Sequence, residues 1–268
     1  DLRNKGIKGK ELYVRAVLIT MPKKNIYSVI NLFDRLGIEV EDITINEIGD
    51  LYAFKNEKIN DSIGVIVNIG HNITTVSLFN KGIIVKNSIL QMGGSNITND
   101  LSYIFKLDNL DAEMVKEKFA VASSNYASCN DIIEIKNIKL NQKEVSEVVE
   151  SRLDEILTFV KKEIFSLTDK QISYIIVTGG TVNMNCFDVE LKKILGDNIS
   201  IGKVKMLGAT ENRYSSVIGN VVYYINKLKL KGENSTMVDS TNETILSSPK
   251  KNTNETMISK VINFFANE

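Results

Sequence analysis

A layered α/β domain, with a small strand–helix–strand unit ahead of it and a polar tail behind, is predicted by three features of this 268-residue sequence. Short apolar runs of strand length alternate with amphipathic stretches of helix length from residue 62 to about 228, the order that builds a sheet covered by helices. One stretch, 141 to 165, carries a continuous apolar stripe and needs a sheet to pack on. From 231 to 256 the composition turns to Ser, Thr, Asn, Glu and Lys, with almost nothing to bury.

Taken in order, "ELYVRAVLIT" (11 to 20) alternates like a half-buried strand, "NIYSVINLFDRLGI" (26 to 38) has helical spacing, and "EVEDITI" reads as a second short strand. A connector, 46–61, with the polar stretch "FKNEKINDS" at its end, leads to the main domain, 62–230. There "IGVIVNIG" (63 to 70) is a buried strand, and "TTVSLF", the turn Asn80-Lys81-Gly82 and "IIVKNSIL" form a hairpin. "SNITNDLSYIF" and "DAEMVKEKFA" read as short helices. The long helix begins at Asn141 with Glu144 three residues on, a capping-box-like start, and its stripe is Val145, Val148, Val149, Leu153, Ile156, Val160 and Ile164. "ISYIIVTGGTVNMNCFDVELKKIL" gives a strand, a Gly-Gly turn and a helix, and "YSSVIGNVVYYINKL" a closing helix.

Charge and composition narrow the function classes. Lys+Arg and Asp+Glu both total 33, so no global field draws the chain to nucleic acid. One histidine and two distant cysteines, Cys129 and Cys186, offer no zinc-type ligand set and read as thiols of a reducing cytoplasm. No apolar run reaches the ~18 residues of a membrane span. The last stretch, 256–268, is different from the flexible linker 231–255 before it. Met257, Ile258, Val261, Ile262 and Phe265 fall on one helical face with Phe264 beside it, while Ser259, Asn263 and Asn267 face away, the pattern of an interfacial helix. A fold-back onto the core, or a protein groove, would satisfy the same face.

Four spaced elements carry the candidate chemistry. In "VNIGHNITTVSLF" a strand enters a turn holding Asn68, Gly70, His71, Asn72 and Thr74 and returns as a second strand, the layout of a phosphate-binding hairpin. Asn72 tolerates left-handed backbone better than most non-Gly residues. "MGGSNITNDL" puts Gly93 and Gly94 at a helix start, where Thr98 and Asp100 serve equally as caps. In "AEMVKEKFA", Glu113 and Lys116 share a helix face; as a plain surface pair they contribute ~0.2–0.5 kcal/mol. "VTGGTVNM" follows a strand with Gly179, Gly180 and Thr181. Its glycines allow positive φ and close backbone approach, so N–H groups can line an anion or ribose, and such a pair is equally plain turn punctuation.

In this order and spacing the four elements resemble the nucleotide motifs of the actin/Hsp70/sugar-kinase ATPase superfamily, and those of the FtsA family of bacterial cell division proteins above all. The resemblance implies an actin-like (RNase H-like) α/β domain with a small inserted α+β subdomain, part of which is residues 1–45, and a smaller subdomain at about 101–168. It implies ATP or ADP, with Mg, as ligand. It also implies self-association into actin-like filaments and recruitment of the FtsZ C-terminal peptide, with no nucleic acid. The linker and terminal helix resemble that family's membrane tether, implying a peripheral protein on the cytoplasmic face of the cell membrane at the division septum. In the family an Arg and a following acidic residue stand at the places of Arg152 and Glu155 in the long helix, implying that this pair meets the FtsZ peptide; a solvated ion pair is the other reading. The family's first phosphate loop has no counterpart here, so the chain is expected to be a fragment lacking its N-terminal part.

The turn after the first strand departs from the family pattern. The family has an Asp at the place of Asn68, glycines at His71 and Asn72, and often an Asp at Thr75, while Gly70 and Thr74 are kept. Backbone amides still suit a phosphate, but Asn68 offers Mg²⁺ an acceptor without charge, so at most weak ATPase activity and no catalytic residue are expected. His71 is either a catalytic base or a solvated loop residue. Two other readings stand beside the division protein: a PilM-like component of a type IV pilus platform, and a sugar or metabolite kinase of the same superfamily.

Overall fold

The computed structural model describes residues 8, 10, 11, 13, 16–204 and 209–232. The chain divides into two compact units, Asp1–Asn226 and Lys227–Glu268. The interfacial stretch Met257, Ile258, Val261, Ile262, Phe264 and Phe265, and the linker beyond Gly232, lie outside the described residues.

The first unit is a three-layer α/β/α domain. Its sheet runs in the order β3-β2-β1-β6-β7, with β1 Ile63–Ile69, β2 Thr74–Asn80, β3 Ile83–Leu90, β6 Tyr174–Thr178 and β7 Ile199–Ile201. β1 pairs antiparallel with β2 and parallel with β6, so that Asn68 lies beside Thr178. The β2–β3 hairpin turns on Lys81 and Gly82, both at positive φ, the two-residue loop whose twist matches that of its strands. β4 Ile132–Ile135 and β5 Ile138–Asn141 form a separate antiparallel pair.

Period-two alternation assigns the faces of the sheet. Val65, Val67 and Ile69 of β1, with Val76 and Leu78 of β2, join one buried cluster with α6 Gln142–Leu167, α4 Gly94–Phe105, α5 Asn109–Lys118 and α7 Phe187–Leu195. The alternate residues Ile66, Phe79, Tyr174 and Ile176 meet Leu51 of α2 Asn46–Phe54 and Ile59 of α3 Glu57–Asp61 on the other face. Asn68 follows Ile66 by two, so it also belongs to the α2 face. Opposite β1's Gly64, the Tyr174 ring lies where a Cβ would be, 2.2 Å away.

The long helix packs as its stripe requires. Val145, Val149, Leu153, Ile156, Val160 and Ile164 are buried, Val148 is half-buried, and Leu157 and Leu167 join them. Asn141 caps the helix by accepting from the Lys143 N–H. At the α6–α7 contact, Lys193 donates to Glu150 at 2.8 Å and to the fully buried Glu190 at 2.9 Å, with Asp154 at 3.3 Å. That one ammonium is shared by the three clustered carboxylates.

Two expectations fail here. Neither 11 to 20 nor 39 to 45 contains a strand among the described residues. Alternation assigns faces, but a strand exists only through a ladder, and no partner strand lies beside either segment there. Between them only α1 Lys23–Arg35 forms, and it buries no residue. The stretch 46–61 is helical as α2 and α3, and Gly49, Asp50 and Leu51 are buried. The short strands β4, β5 and β7 went unread because three or four residues give too little periodicity to see.

α2 packs against α8 Ser215–Lys231 backbone to backbone. A Cβ on Gly219 would stand 1.7 Å from the Gly49 carbonyl oxygen, and one on Gly49 would stand 2.2 Å from that of Ser216. Gly→Ala inside a helix ordinarily stabilises by ~0.5–1 kcal/mol; here the sign reverses. Gly219→Ala is expected to cost about 2–4 kcal/mol through overpacking, read as a lower urea midpoint at unchanged slope.

Candidate functional site

The two parallel strands at the centre of the sheet, β1 and β6, end side by side, the place where open α/β sheets hold ligands. A cavity of about 450 Å³ opens there, within the ~300–1,000 Å³ range of small-molecule pockets. It is lined by Asn68, Gly70 and His71 after β1, Gly94 at the start of α4, Glu113 and Lys116 of α5, and Gly179, Gly180 and Thr181 after β6. Four motifs far apart in sequence thus share one pocket.

The turn after β1 is closed by the Gly70 N–H donating to the Ile73 carbonyl at 3.0 Å. Its outward carbonyls hold α4: the Gly94 N–H donates to Gly70 O at 2.9 Å and the Ser95 N–H to His71 O at 2.7 Å. The Gly93 N–H donates to Asn96 Oδ1 at 2.9 Å. A Cβ on Gly93 would stand 2.6 Å from both loop carbonyls, so glycine is required for the approach itself. The first amides of α4 are therefore used within the protein. Among the described residues no backbone carbonyl accepts from the amides of His71 and Asn72 at the exposed tip of the turn. Asn72 does not adopt positive φ, so its tolerance of that region is not used.

Lys116 is not a surface residue. It is buried, and its ammonium donates to both Glu113 oxygens at 2.7 Å, to Thr98 Oγ1 at 3.0 Å and to Gly94 O at 3.3 Å. Thr98 donates in turn to Glu113. His71 Nδ1 lies 3.7 Å from Glu113. Burial raises the Glu113 pKa, but hydrogen bonds from Lys116 and Thr98 and the Lys116 charge outweigh it and hold the carboxyl below its ordinary value. Of the two readings of the i,i+3 pair, the plain surface pair is excluded: a buried ammonium and a half-buried carboxylate form a clamp joining α5 to the start of α4.

At the other wall, Gly179 has φ 102°, and a Cβ there would stand 2.4 Å from Ile69 O and 2.6 Å from Asn68 Oδ1. Gly180 has room, its nearest neighbour being Arg213 Cβ at 3.7 Å. Thr181 Oγ1 donates to Gly70 O at 3.3 Å, tying the two loops together.

Beneath Asn68 sits a carboxylate that sequence reasoning missed. Asp50 of α2 is 2% exposed. Its Oδ2 accepts from Asn68 Nδ2 at 2.7 Å, and its Oδ1 accepts from Ser215 and Ser216 at 2.7 Å each. Thr178 at the end of β6 donates to Ser215 at 3.0 Å. Burial raises the Asp50 pKa, and the three donors draw it partly back. Asn46, Asn183, Arg213 and Ser216 also line the cavity and were not foreseen. The available signal was the pair of mid-helix glycines, Gly49 and Gly219, whose cost in a helix points to a close contact.

The remaining candidates lie outside the cavity. Asn72 is exposed, Gly93 is part of the α4 docking, and Thr98 stands behind Glu113. Thr74 is buried and donates to Met92 O at 2.8 Å. Arg152 and Glu155 pair with each other on α6, and Arg152 also grips Asp100 of α4 at 2.5 and 2.9 Å.

Comparison with known proteins gives a consistent result. The family described as cell division protein FtsA matches residues 65–219, more than half of the chain. The cell division protein FtsA of Bacillus subtilis (strain 168) is 28% identical over 239 residues, covering 85% of this chain and 53% of the relative. The chain spans about half the length of the curated relatives it matches. Among solved structures, MreB5 of Spiroplasma citri bound to AMPPNP is similar with TM-score 0.62 at 15% identity, covering 79% of this chain and 68% of that one. The PilM–PilN type IV pilus biogenesis complex has TM-score 0.57 at 15% identity, covering 72% and 56%. The fold is the actin-like one.

The Glu113–Lys116 clamp gives a pH dependence with a definite sign. Folded Glu113 binds its proton more weakly than the unfolded residue, so its contribution is fully present above pH 4.5 and is lost as pH falls through the folded value. Glu113→Gln is expected to flatten this acid limb and, by leaving the buried Lys116 short of its counter-charge, to cost about 1–3 kcal/mol at neutral pH. Urea midpoints at neutral pH and at pH about 4 measure both effects.

Proposed function

The chain belongs to the FtsA family of cell division proteins, and from that membership we propose that it binds ATP or ADP in the pocket between β1 and β6 and links FtsZ polymers to the cytoplasmic membrane. The observation that carries the nucleotide half is the convergence of the loop 70–73, the α4 start, the Glu113–Lys116 clamp and the Gly179–Thr181 turn on one cavity. The His71 amide, which no backbone carbonyl among the described residues engages, suits a phosphate oxygen at the cavity wall, and the Gly179–Gly180 turn leaves flat backbone surface suited to a ribose or base.

The donor set also suits a hydrated Mg²⁺. The pocket wall at Asn46, Asn68 and Ser216 is neutral, with the Asp50 carboxylate one layer behind it. Mg²⁺ keeps several waters and leans on substrate phosphates, so such a wall holds it through water. With no carboxylate at position 68 to contact the metal, nucleotide turnover is slow or absent, and the nucleotide acts as an assembly ligand for actin-like filaments. The test is calorimetric titration of ADP and ATP. Gly94→Val, which places a branched side chain against Thr181 Oγ1 and Lys116 Nζ at 3.0–3.3 Å, is expected to weaken binding about tenfold or more with the fold retained; equal affinity would remove this cavity as the site.

For the partners, Arg152 stands beside Asp100 and Glu155 in a charged cluster accessible on α6, suited to a peptide that mixes apolar and charged anchors. Residues 256–268 supply the apolar face for a membrane surface. Both assignments meet in one reconstitution on anionic liposomes with purified FtsZ. Wild type is expected to sediment with the vesicles and carry FtsZ with it. Phe264→Glu with Phe265→Glu should release both proteins, whereas Arg152→Glu should release FtsZ alone. Undiminished FtsZ recruitment by Arg152→Glu would take Arg152 out of the interface.

A further inference from the structure

The direction of every proton around Asp50 is fixed by chemistry. A carboxylate only accepts, so Ser215, Ser216 and the Asn68 amide must each donate to it, at 2.7 Å in all three cases. Ser216 spends its single proton on Asp50 and therefore receives the second N–H of Asn68, at 3.2 Å. Ser215 likewise spends its proton on Asp50 and receives that of Thr178 at 3.0 Å. Both hydrogens of Asn68 Nδ2 are thereby engaged on the inner side. The carbonyl oxygen Oδ1 is left on the side of Gly179, 2.6 Å from where a Cβ would stand, at the pocket wall that both residues line.

We propose that Asp50 is a positioning residue of the nucleotide site: by accepting from Asn68 Nδ2 it holds the Asn68 carbonyl toward the pocket, and its charge, one layer behind the wall, makes nucleotide binding depend on a divalent cation. The proposal rests on the nucleotide reading above. An asparagine amide has two nearly isosteric ends, and a free one offers a ligand either a donor or an acceptor. Asp50 removes the choice. The pocket then meets an acceptor suited to a metal-bound water, backed by a negative charge that attracts a cation and repels a bare phosphate. The same contact accounts for a neutral residue at position 68, because two carboxylates at 2.7 Å would share one proton rather than both ionise.

The experiment measures ADP affinity of the full chain by calorimetry in magnesium and in EDTA. Asp50→Asn can donate to Asn68 Oδ1 and lets the amide turn; it is expected to lose about tenfold or more of the magnesium-induced gain in affinity, with affinity in EDTA unchanged or tighter. The charge-swapped variant, Asp50→Asn with Asn68→Asp, should regain the gain. An unchanged gain in Asp50→Asn, or equal losses with and without magnesium, overturns the proposal, since a merely structural residue would weaken both. Should Asp50→Asn not fold, Asp50→Ser, which removes the charge and the acceptor for Asn68 Nδ2, is measured in its place with the same two outcomes. Wild type that binds no ADP in either buffer overturns the nucleotide reading itself. Independently of any ligand, the Asn68 side-chain amide protons in wild type should exchange slowly with water and show proximity to Ser216 by NMR; fast exchange overturns the assigned orientation.

Discussion

Asp50 is the point at which the architecture of the first unit converges. Its carboxylate gathers α2, the end of β1 through Asn68 and the start of α8 through Ser215 and Ser216, and Ser215 extends the connection to the end of β6 through Thr178. Removing a charge from water costs several kcal/mol even after relaxation. Hydrogen bonds to a charged group contribute roughly 1.5–3 kcal/mol each, so three donors offset most of that cost. The site is tolerated only because all three arrive together. That requires α2 and α8 to approach until their backbones touch, which Gly49 and Gly219 permit.

The rest of the pocket follows the same logic of backbone approaching backbone. Gly93 sits against the loop carbonyls of Gly70 and His71, and Gly179 against Ile69 O. Each contact would be blocked by a single methyl group. The loops are therefore positioned by packing and not by flexible side chains. The charged members, Glu113 and Lys116, are satisfied within the protein before any ligand arrives. Such a wall is preorganised, so little ordering is required on binding. Asp50 places a carboxylate one layer behind it.

The layout of the fold and the chemistry of the turn after β1 belong to different levels. Family membership rests on the match of residues 65–219 to the FtsA family, and the actin-like fold on the sheet order and the helices on its two faces. A neutral Asn68 at the pocket is compatible with that fold, because its side chain occupies the same face of β1 as Ile66. The pocket wall is neutral at this position, and the fold supplies a carboxylate from a neighbouring helix at hydrogen-bond distance. None of the described helices is long and apolar enough to cross a bilayer.

The α/β layering, the central strand Ile63–Ile69, the long helix with its buried stripe and the four loops of the pocket were all legible in the amino-acid order, because each rests on local periodicity or on turn residues whose conformation is restricted. The strands expected at 11 to 20 and 39 to 45 were not, since a ladder partner is a non-local property that alternation does not encode. The burial of Lys116 and the role of Asp50 were hidden for a related reason. A lysine three residues from a glutamate, or an aspartate in a connector, reads as solvated until something else in the chain is known to cover it. Lys116 is covered by the start of α4, 22 residues away, and Asp50 by serines 165 and 166 residues away. The sequence alone determined which segments could form the pocket; the tertiary structure decided which charges face one another inside it, because burial and hydrogen-bond partners are created by contacts between segments and exist in none of them separately.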